Sequence, residues 1–400
     1  MVGAGVYSVW PPATRSAGSL LLVGLVVAAL VANFNARSTA RLARLFPESG
    51  GTYVYGRERL GPSWGFLAGW GFVVGKTASC AAMASTIGAY ILPEHARLIA
   101  VTAIVVMTLV NIGGLHRTVF VTRILLVLST FVLLIVVVSG TSSSTFDPGN
   151  LWPLTDLTDD RSPVRRTYDV LQSSGLLFFA FAGYARIATL GEEVRQPEHN
   201  IPRAISISLS LVVLTYVAVG FTLLATVSPA HIANVNDPLR LLVSMGPFDW
   251  LSPFVRIGAV IAALGALLNL LPGVSRTALA MARRRDLPSC LAGLDHRRSL
   301  PLRAELTVAS FAILIVLIFD LRSSIALSGV GVLIYYSVAH LSSITLPSTG
   351  LQRLTASLGF IGCIGLVLCL PLSILLTGSA VLFVGLVGRR LLRRHESARA

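Results

Sequence analysis

Residues 19–44 read SLLLVGLVVAALVANFNARSTARLAR. The run has no charged residue before Arg37, and at about 1.5 Å per helical residue it can cross most of a hydrocarbon core about 30 Å thick. Arg37, Arg41 and Arg44 follow at helical spacing, so they lie on one face of the same helix. The stretch therefore predicts a membrane-spanning helix that extends into the interface, and not a cleaved signal peptide.

The composition of the whole chain is that of a membrane protein. Of its 400 residues, 54% are hydrophobic and 12% are charged, whereas about a quarter of the residues in a soluble domain are charged. Apolar runs bounded by charge, proline or glycine predict eleven spans, near residues 18–36, 62–92, 96–113, 118–139, 170–190, 203–228, 254–282, 304–320, 323–346, 355–370 and 372–391. Residues 1–13 are apolar but too short to cross, so we expect a further helix whose first half is missing, with Met1 internal to a longer reading frame. These runs predict an all-α integral membrane protein with about twelve transmembrane helices, the first of them truncated.

Charge and cysteine content argue against several other classes of protein. The formal net charge is +14, but the basic residues lie at the ends of apolar runs and not among aromatics on a soluble face, so we predict no nucleic-acid partner. The cysteines show no CxxC spacing and the histidines no HExxH spacing, so we predict neither a metal site nor a cofactor. We interpret the four cysteines as packing residues; they are Cys80, Cys290, Cys363 and Cys369.

Arginine is distributed unequally between alternate loops. The rich set includes Arg37, Arg41, Arg44, Arg57, Arg59, Arg203, the cluster at 283–285 and the tail from Arg389 to Arg399. The longest loop of the poor set, residues 141–169, also carries Asp147, Asp156, Asp159 and Asp160. Because arginine-rich loops stay in the cytoplasm, we predict a plasma membrane protein whose N-terminal side and C-terminal tail are cytoplasmic. The clusters at 283–285 and 389–394 are interpreted as topology determinants and lipid-headgroup contacts.

Glycine interrupts two apolar runs at matching positions in the two halves of the chain. The first interruption is Gly3-Ala4-Gly5-Val6, and the second is Phe181-Ala182-Gly183-Tyr184, five spans later. Glycine leaves helical geometry at low cost, and the freed amides and carbonyls can then bind the carboxylate and the ammonium of an amino acid. Close helix packing through small residues is the alternative use of such glycines. The matched pair favours a binding site between two broken helices.

Four motifs resemble the amino acid–polyamine–organocation permeases over nearly the whole chain. VGAGVYSVW, from Val2, resembles the first-helix break of that family, and FPESGGTYVYGRERLGPSWGFLAGW, from Phe46, resembles its signature after the second helix. FFAFAGYARIATLGEEVRQPEHNIPRAI, from Phe178, resembles the sixth-helix break and the loop that follows, and SRTALAMARRRDLP, from Ser275, resembles the end of the eighth helix.

The resemblance implies a LeuT-like fold and a secondary active amino acid transporter. The fold would have a five-plus-five inverted repeat and two extra C-terminal helices, with residues 1–169 and 170–349 as the repeats and 350–400 as the added helices and basic tail. Transport would proceed by alternating access, coupled to protons or by exchange. The carboxylate of the substrate would bind Gly3, Ala4, Gly5 and Val6, and its amino group would bind Phe181, Ala182, Gly183 and Tyr184, whose ring gates the site.

Charged residues at membrane depth are candidates for coupling or gating. Arg123 lies where many relatives have a lysine at a sodium-like position, but an arginine does not release its proton in proteins. Lys76 is chemically the better proton carrier, with pairing or snorkelling as its alternative role. Arg186 is interpreted as a partner of Glu192 or Glu193 or as a gating residue, with direct contact to the substrate as the alternative. The two glutamates are interpreted as an inner gate with Arg57, Arg59 or Arg203, or as a solvated helix end.

Two other functions compete with a permease for neutral or cationic amino acids. One is a membrane enzyme, which the sequence does not favour because it has no metal-ligand spacing and no intramembrane carboxylate pair. The other is a truncated permease-like protein that does not transport. The sequence leaves open which amino acid is carried, whether transport is by symport or by exchange, and what the oligomeric state is.

Overall fold

The protein is a bundle of helices. A computed structural model describes residues 3–46, 50–113, 118–151, 162–183, 196–295 and 300–397. These ranges contain no β-strand. The helices are α1 (Gly5–Ser8), α2 (Trp10–Ala17), α3 (Leu21–Leu45), α4 (Thr52–Leu60), α5 (Pro62–Ile91), α6 (Ala96–Ile112), α7 (Thr118–Thr141), α8 (Pro163–Phe181), α9 (Pro197–Thr226), α10 (Pro229–Asn234), α11 (Pro238–Ser244), α12 (Ser252–Arg283), α13 (Leu302–Ile318), α14 (Leu321–Ile344), α15 (Gly350–Leu368) and α16 (Leu372–Ser397).

Nine helical segments within the described ranges are long and apolar enough to cross a membrane. They lie at Trp10–Leu45, Pro62–Ile91, Pro93–Ile112, Ile124–Thr141, Glu198–Thr226, Asp249–Arg283, Leu321–Ile344, Gly350–Leu368 and Leu372–Arg393. Two further predicted spans are helices that fall short of this test. The described part of α8 begins with the charged residues Arg165, Arg166 and Asp169, and α13 has only 17 residues. The predicted all-α membrane fold is confirmed by the helices of the described ranges.

Helices α5 and α14 cross at the centre of the bundle through three glycines. A Cβ atom on Gly71 would lie 2.9 Å from the carbonyl oxygen of Gly331, and one on Gly75 would lie 2.9 Å from the amide nitrogen of Val332. One turn further along, the hydroxyls of Ser79 and Ser328 lie 2.6 Å apart. Small residues therefore allow the two backbones to touch, which is how helices associate in the absence of a hydrophobic driving force.

A proline interrupts the hydrogen bonding of α12 where a neighbouring helix supplies a replacement donor. Pro272 has no N–H, so the carbonyl of Leu268 loses its helical partner. The side-chain amide of Asn111, near the end of α6, donates to that carbonyl at 3.2 Å. The polar backbone group that the proline exposes is thus paired inside the bundle, as it must be in a membrane.

Positive φ angles fix two helix boundaries near the start of the chain. Gly18, with φ 56°, separates α2 from the long α3, and Gly61, with φ 102°, precedes Pro62 at the first position of α5. Only glycine adopts such angles without strain, and proline suits the first turn of a helix. The first helical stretch, predicted at residues 1–13, continues to Ala17, and the first positive-φ glycine of the described residues, Gly18, follows it.

The outer surface of the bundle is apolar. Large hydrophobic side chains on the peripheral helices are more than three-fifths exposed, including Leu98, Val127, Leu214, Ile361 and Phe383. An apolar surface of this extent would aggregate in water, whereas in a bilayer it faces the lipid. The exposed side chains therefore mark the lipid-facing surfaces of α6, α7, α9, α15 and α16.

Replacing Gly331 with alanine should destabilise the protein. The added Cβ would overlap the carbonyl oxygen of Gly71, which belongs to the backbone and cannot move away by changing rotamer. We expect a loss of about 1–3 kcal/mol, the range for overpacking, seen as a lower thermal unfolding midpoint of the detergent-purified protein. Gly365→Ala is the matched control, because a Cβ there meets nothing within 4 Å. Equal midpoints for the two variants would contradict the close α5–α14 contact.

Candidate functional site

The first glycine segment packs directly against two other helices. A Cβ on Gly5 would lie 2.7 Å from the Cα of Ala180 in α8, and one on Gly3 would lie 3.1 Å from the Cβ of Ala266 in α12. A run of helical turns begins at Gly5 and is continuous into α2, because Val9 N–H donates to the Gly5 carbonyl and Ala13 N–H to the Val9 carbonyl. The amides of the first turn have no partner within the helix, so the positive end of this helix lies at the glycine segment.

The second glycine segment lies where α8 ends. The helix stops at Phe181, and the N–H of Ala182 still donates to the carbonyls of Phe178 and Phe179. Of the carbonyls at this end, that of Ala180 accepts a hydrogen bond from the hydroxyl of Tyr216 at 3.1 Å. The described part of α8 therefore ends within the predicted second segment, and the negative end of its dipole lies beside the first glycine segment.

Lys76 reaches this end of α8 from α5. Its side chain is buried, and Nζ donates to the carbonyl oxygen of Ala182 at 2.7 Å. Lys76 lies 14 residues after Pro62 and 15 before Ile91, so at about 1.5 Å per residue it is about 21 Å from either end of α5. Its ammonium therefore pairs with a backbone carbonyl far from both ends of α5.

Aromatic side chains surround both interruptions. The ring of Phe181 lies 5.2 Å from that of Tyr216, measured between centroids. On the other side, the hydroxyl of Tyr90 donates to the carbonyl of Tyr7 at 3.0 Å, and the indole N–H of Trp10 donates to the carbonyl of Val6. Side chains thus satisfy backbone carbonyls near both breaks, as a low-dielectric interior requires.

Several predicted site residues lie outside the described part of the chain. These are Tyr184, Arg186, Glu192 and Glu193. Arg123 belongs to α7, but its side chain is also outside the described set. Gly3, Ala4, Gly5, Val6, Phe181, Ala182, Gly183 and Lys76 are described, and the contacts above bring both segments and the lysine together.

A buried carboxylate forms ion pairs with three arginines at one end of the bundle. Asp286, three residues after the end of α12, accepts from Arg389 Nε at 2.7 Å, from Arg393 at 3.0 Å and from Arg57 at 3.2 Å. Arg389 also donates to the carbonyl of Pro62 at 2.9 Å, so α16 is tied to the start of α5. The interpretation of Arg389 as a headgroup contact is wrong, since its side chain is 6% exposed and paired. Its sequence context, RRLLRR, gives no sign of this long-range partner.

Tyr53 completes the Asp286 cluster from α4. Its hydroxyl donates to Oδ2 of Asp286 at 2.8 Å. Burial, and then the nearby carboxylate, raise the pKa of Tyr53 well above its ordinary value, so the hydroxyl remains a donor at physiological pH. The sequence analysis proposed Arg57, Arg59 or Arg203 as partners of Glu192 and Glu193, which lie outside the described residues. Among the described residues, Arg57 pairs with Asp286 and Arg59 donates to Thr345.

A second buried polar cluster involves a histidine that sequence analysis did not single out. His340, in α14, lies with Nε2 2.6 Å from Oδ1 of Asn35 and Nδ1 2.9 Å from the hydroxyl of Ser38. The thiol of Cys363 donates to the same Asn35 oxygen at 3.2 Å. Because the amide oxygen can only accept, Nε2 carries the proton and Nδ1 accepts from the serine. The cluster ties α3, α14 and α15 together.

Replacing Asp286 with asparagine should destabilise the protein strongly. The variant leaves Arg389 buried without its carboxylate, and breaking a buried ion pair costs about 3 kcal/mol or more. The thermal unfolding midpoint of the purified protein should fall, and limited proteolysis should release the α16 segment earlier. Asp237→Asn is the control, because the Asp237–Arg240 pair is partly exposed and worth less than about 1 kcal/mol. If the two variants unfold alike, the Asp286 cluster does not hold α16.

Comparisons with known proteins agree with this architecture. The family model described as amino acid permease matches residues 1–391. An uncharacterized transporter of Mycobacterium tuberculosis (strain ATCC 25618 / H37Rv) is 48% identical over 403 residues, covering 99% of this chain and 89% of the relative.

More distant relatives carry substrate names. A branched-chain amino acid permease of Bacillus subtilis (strain 168) is 24% identical over 331 residues, covering 75% of this chain and 68% of the relative. The cationic amino acid transporter 3, mitochondrial, of Arabidopsis thaliana is 25% identical over 367 residues, covering 85% of this chain and 59% of the relative. The chain therefore belongs to the amino acid permease family and is a multi-pass membrane transporter.

Proposed function

We propose that the protein is a secondary active amino acid transporter, working as a proton symporter or an exchanger by alternating access. Its substrate binds between the two glycine segments, with the carboxylate at Gly3–Val6 and the ammonium at Phe181–Tyr184. The proposal rests on two helix ends of opposite polarity that lie close together. The positive end of the helix that begins at Gly5 lies against α8, and the negative end of α8 follows Phe181. This pair of dipoles matches the two charges of an amino acid.

Lys76 offers a route to proton coupling. Its ammonium donates to the Ala182 carbonyl, which is the type of acceptor proposed for the ammonium of the substrate. The two cations would compete for the same carbonyl end of α8. A lysine can give up its proton and withdraw, whereas the guanidinium of Arg123 does not deprotonate in proteins. Substrate binding would thus be linked to loss of a proton from Lys76, or to movement of its side chain away from the Ala182 carbonyl.

The two ends of the bundle differ in a way that supports alternating access. At the end where α5 begins, ion pairs from Asp286, just after α12, hold α4 and α16, and Arg389 of α16 donates to the Pro62 carbonyl of α5. At the end where α5 finishes, a cavity of about 290 Å³ opens beside Ser85 and Ala89. The arginine-rich end would be cytoplasmic by the positive-inside rule. The described conformation would then be closed inward and open outward in a plasma membrane.

The internal symmetry is part of the same proposal. Residues 1–169 and 170–349 would form the inverted repeats, and residues 350–400 the added helices and tail. Substrate and coupling sites of such transporters lie at the repeat interface near the midplane. Lys76, from the first half, and Ala182, from the second half, meet in this way.

Uptake into proteoliposomes is the direct test. Purified full-length protein should accumulate at least one radiolabelled amino acid from a broad panel when a pH gradient is imposed, or exchange it against preloaded amino acid. Empty liposomes supply the background. Absence of both uptake and exchange across the panel would refute the proposed function.

Lys76→Gln should separate proton coupling from substrate exchange. Glutamine can still donate to the Ala182 carbonyl but carries no exchangeable charge at this position. We expect uptake by the variant to be equal with and without the pH gradient, while exchange persists. Ser79→Ala, which removes a buried hydroxyl of α5 one turn away, should retain the response to the gradient. A response that survives in Lys76→Gln would exclude Lys76 as the coupling residue.

A further inference from the structure

A cavity separates the proposed substrate site from the end of the bundle at which α5 finishes. It has a volume of about 290 Å³, and Ser8, Ser85 and Ala89 are among its lining residues. Ser8 donates to the carbonyl of Ala4, so one wall of the cavity lies one helical turn from the first glycine segment. Ser85 is nine residues beyond Lys76, or about 14 Å along α5. The cavity therefore lies on the path from this end of the bundle to the proposed site.

The wall of this cavity is rich in arginine. Arg15 from α2, Arg97 from α6 and Arg322 from α14 line it, and Asp320 is the acidic residue of the lining. Asp320 caps α14 by accepting a hydrogen bond from Ser323 N–H at 2.9 Å, so its charge is partly directed at that helix end. The charged side chains of the lining sum to a positive charge. A low-dielectric cavity wall strengthens the field of such charges.

One of these arginines has an unused buried donor. Nε of Arg322 is buried and has no hydrogen-bond partner among the described residues. Nε of Arg15, in contrast, donates to the carbonyl of Ala233 at 2.6 Å, which holds that side chain in place. A buried charged donor without an acceptor is costly. A carboxylate would satisfy it and would suit the planar fork of the guanidinium.

The geometry points to an outer vestibule in which Arg15, Arg97 and Arg322 receive the carboxylate of an incoming amino acid and repel amino acids of net positive charge. This inference rests on the proposed function and narrows its substrate class. Zwitterionic and acidic amino acids carry the carboxylate that the vestibule binds, and their net charge is zero or negative. Lysine and arginine carry one more positive charge into a positively charged cavity. The vestibule thus selects against the cationic class before the substrate reaches Lys76.

The potential of the vestibule can be measured without knowing the substrate. A cysteine at Ser85, in a Cys290→Ser background that removes the exposed thiol, reports on the cavity. The purified full chain in neutral detergent is treated with two methanethiosulfonates, one bearing ethylsulfonate and the other ethyltrimethylammonium. Their modification rates are divided by the rates with free 2-mercaptoethanol, and the parent without the new cysteine provides the blank.

The anionic reagent should react faster at this position than the cationic one. Arg322→Gln should lower the anion-to-cation rate ratio at least about fivefold, since a unit charge at about 8 Å changes each rate about twofold even through water and has opposite effects on the two reagents. Arg322→Lys should keep the ratio near the parent value. Arg240→Gln removes an arginine that is paired with Asp237 and does not line the cavity, so it should leave the ratio unchanged. A ratio of one or less, or equal ratios in Arg322→Gln and Arg240→Gln, would overturn the inference.

Uptake tests the consequence for the substrate class. Norleucine and lysine differ in the ε-amine, so their kcat/KM ratio isolates the effect of the added charge. The parent should favour norleucine, and Arg322→Gln should narrow the preference severalfold. A parent that favours lysine, or a ratio unaffected by the substitution, would contradict selection in the vestibule. If neither amino acid nor any other is transported, the proposed function fails, and the thiol ratios alone then decide whether the cavity is an anion-attracting site.

Discussion

The close crossing of α5 and α14 is the contact on which the rest of the structure depends. Gly71 and Gly75 lie against the backbone at Gly331 and Val332, so each helix fixes the position of the other. Both helices are buried along most of their length. Because helix α5 runs through the centre of the bundle, its rotation determines where Lys76 points and which carbonyl it meets. A larger side chain at the crossing would separate the helices and move the lysine away from the end of α8.

Three centres of charge lie at successive depths along α5, and each has a different chemical environment. At the start of the helix, the buried carboxylate of Asp286 pairs with three arginines. At mid-height, the Lys76 ammonium is held by a carbonyl dipole. At the end where α5 finishes, the buried Nε of Arg322 has no hydrogen-bond partner among the described residues. A group that is already paired stabilises a closed end, whereas an unpaired one is available to a ligand.

Some polar groups elsewhere in the bundle are paired by side chains from distant parts of the sequence. Asn111 compensates for Pro272 in another helix, and His340 joins Asn35 and Ser38 of α3. A lipid-exposed backbone carbonyl or imidazole would be costly, so these interruptions occur where a neighbouring helix supplies the partner. Residues that interrupt helical hydrogen bonding, such as Pro272, therefore lie inside the bundle and not on its lipid-facing surface.

The sequence by itself determined the class of the protein. Long uncharged runs permit only helices in a bilayer, and the glycine segments at 3–6 and 181–184 indicated where helices would be interrupted because glycine alone tolerates such geometry without cost. These signals are local, since each lies within about 20 residues. The partners of charged residues are not local: Asp286 lies 103 residues from Arg389, and Lys76 lies 106 from Ala182. Only the packing of helices decided that Arg389 is buried, that Lys76 faces α8 and that three arginines share one cavity, because those outcomes depend on how each helix is rotated against its neighbours.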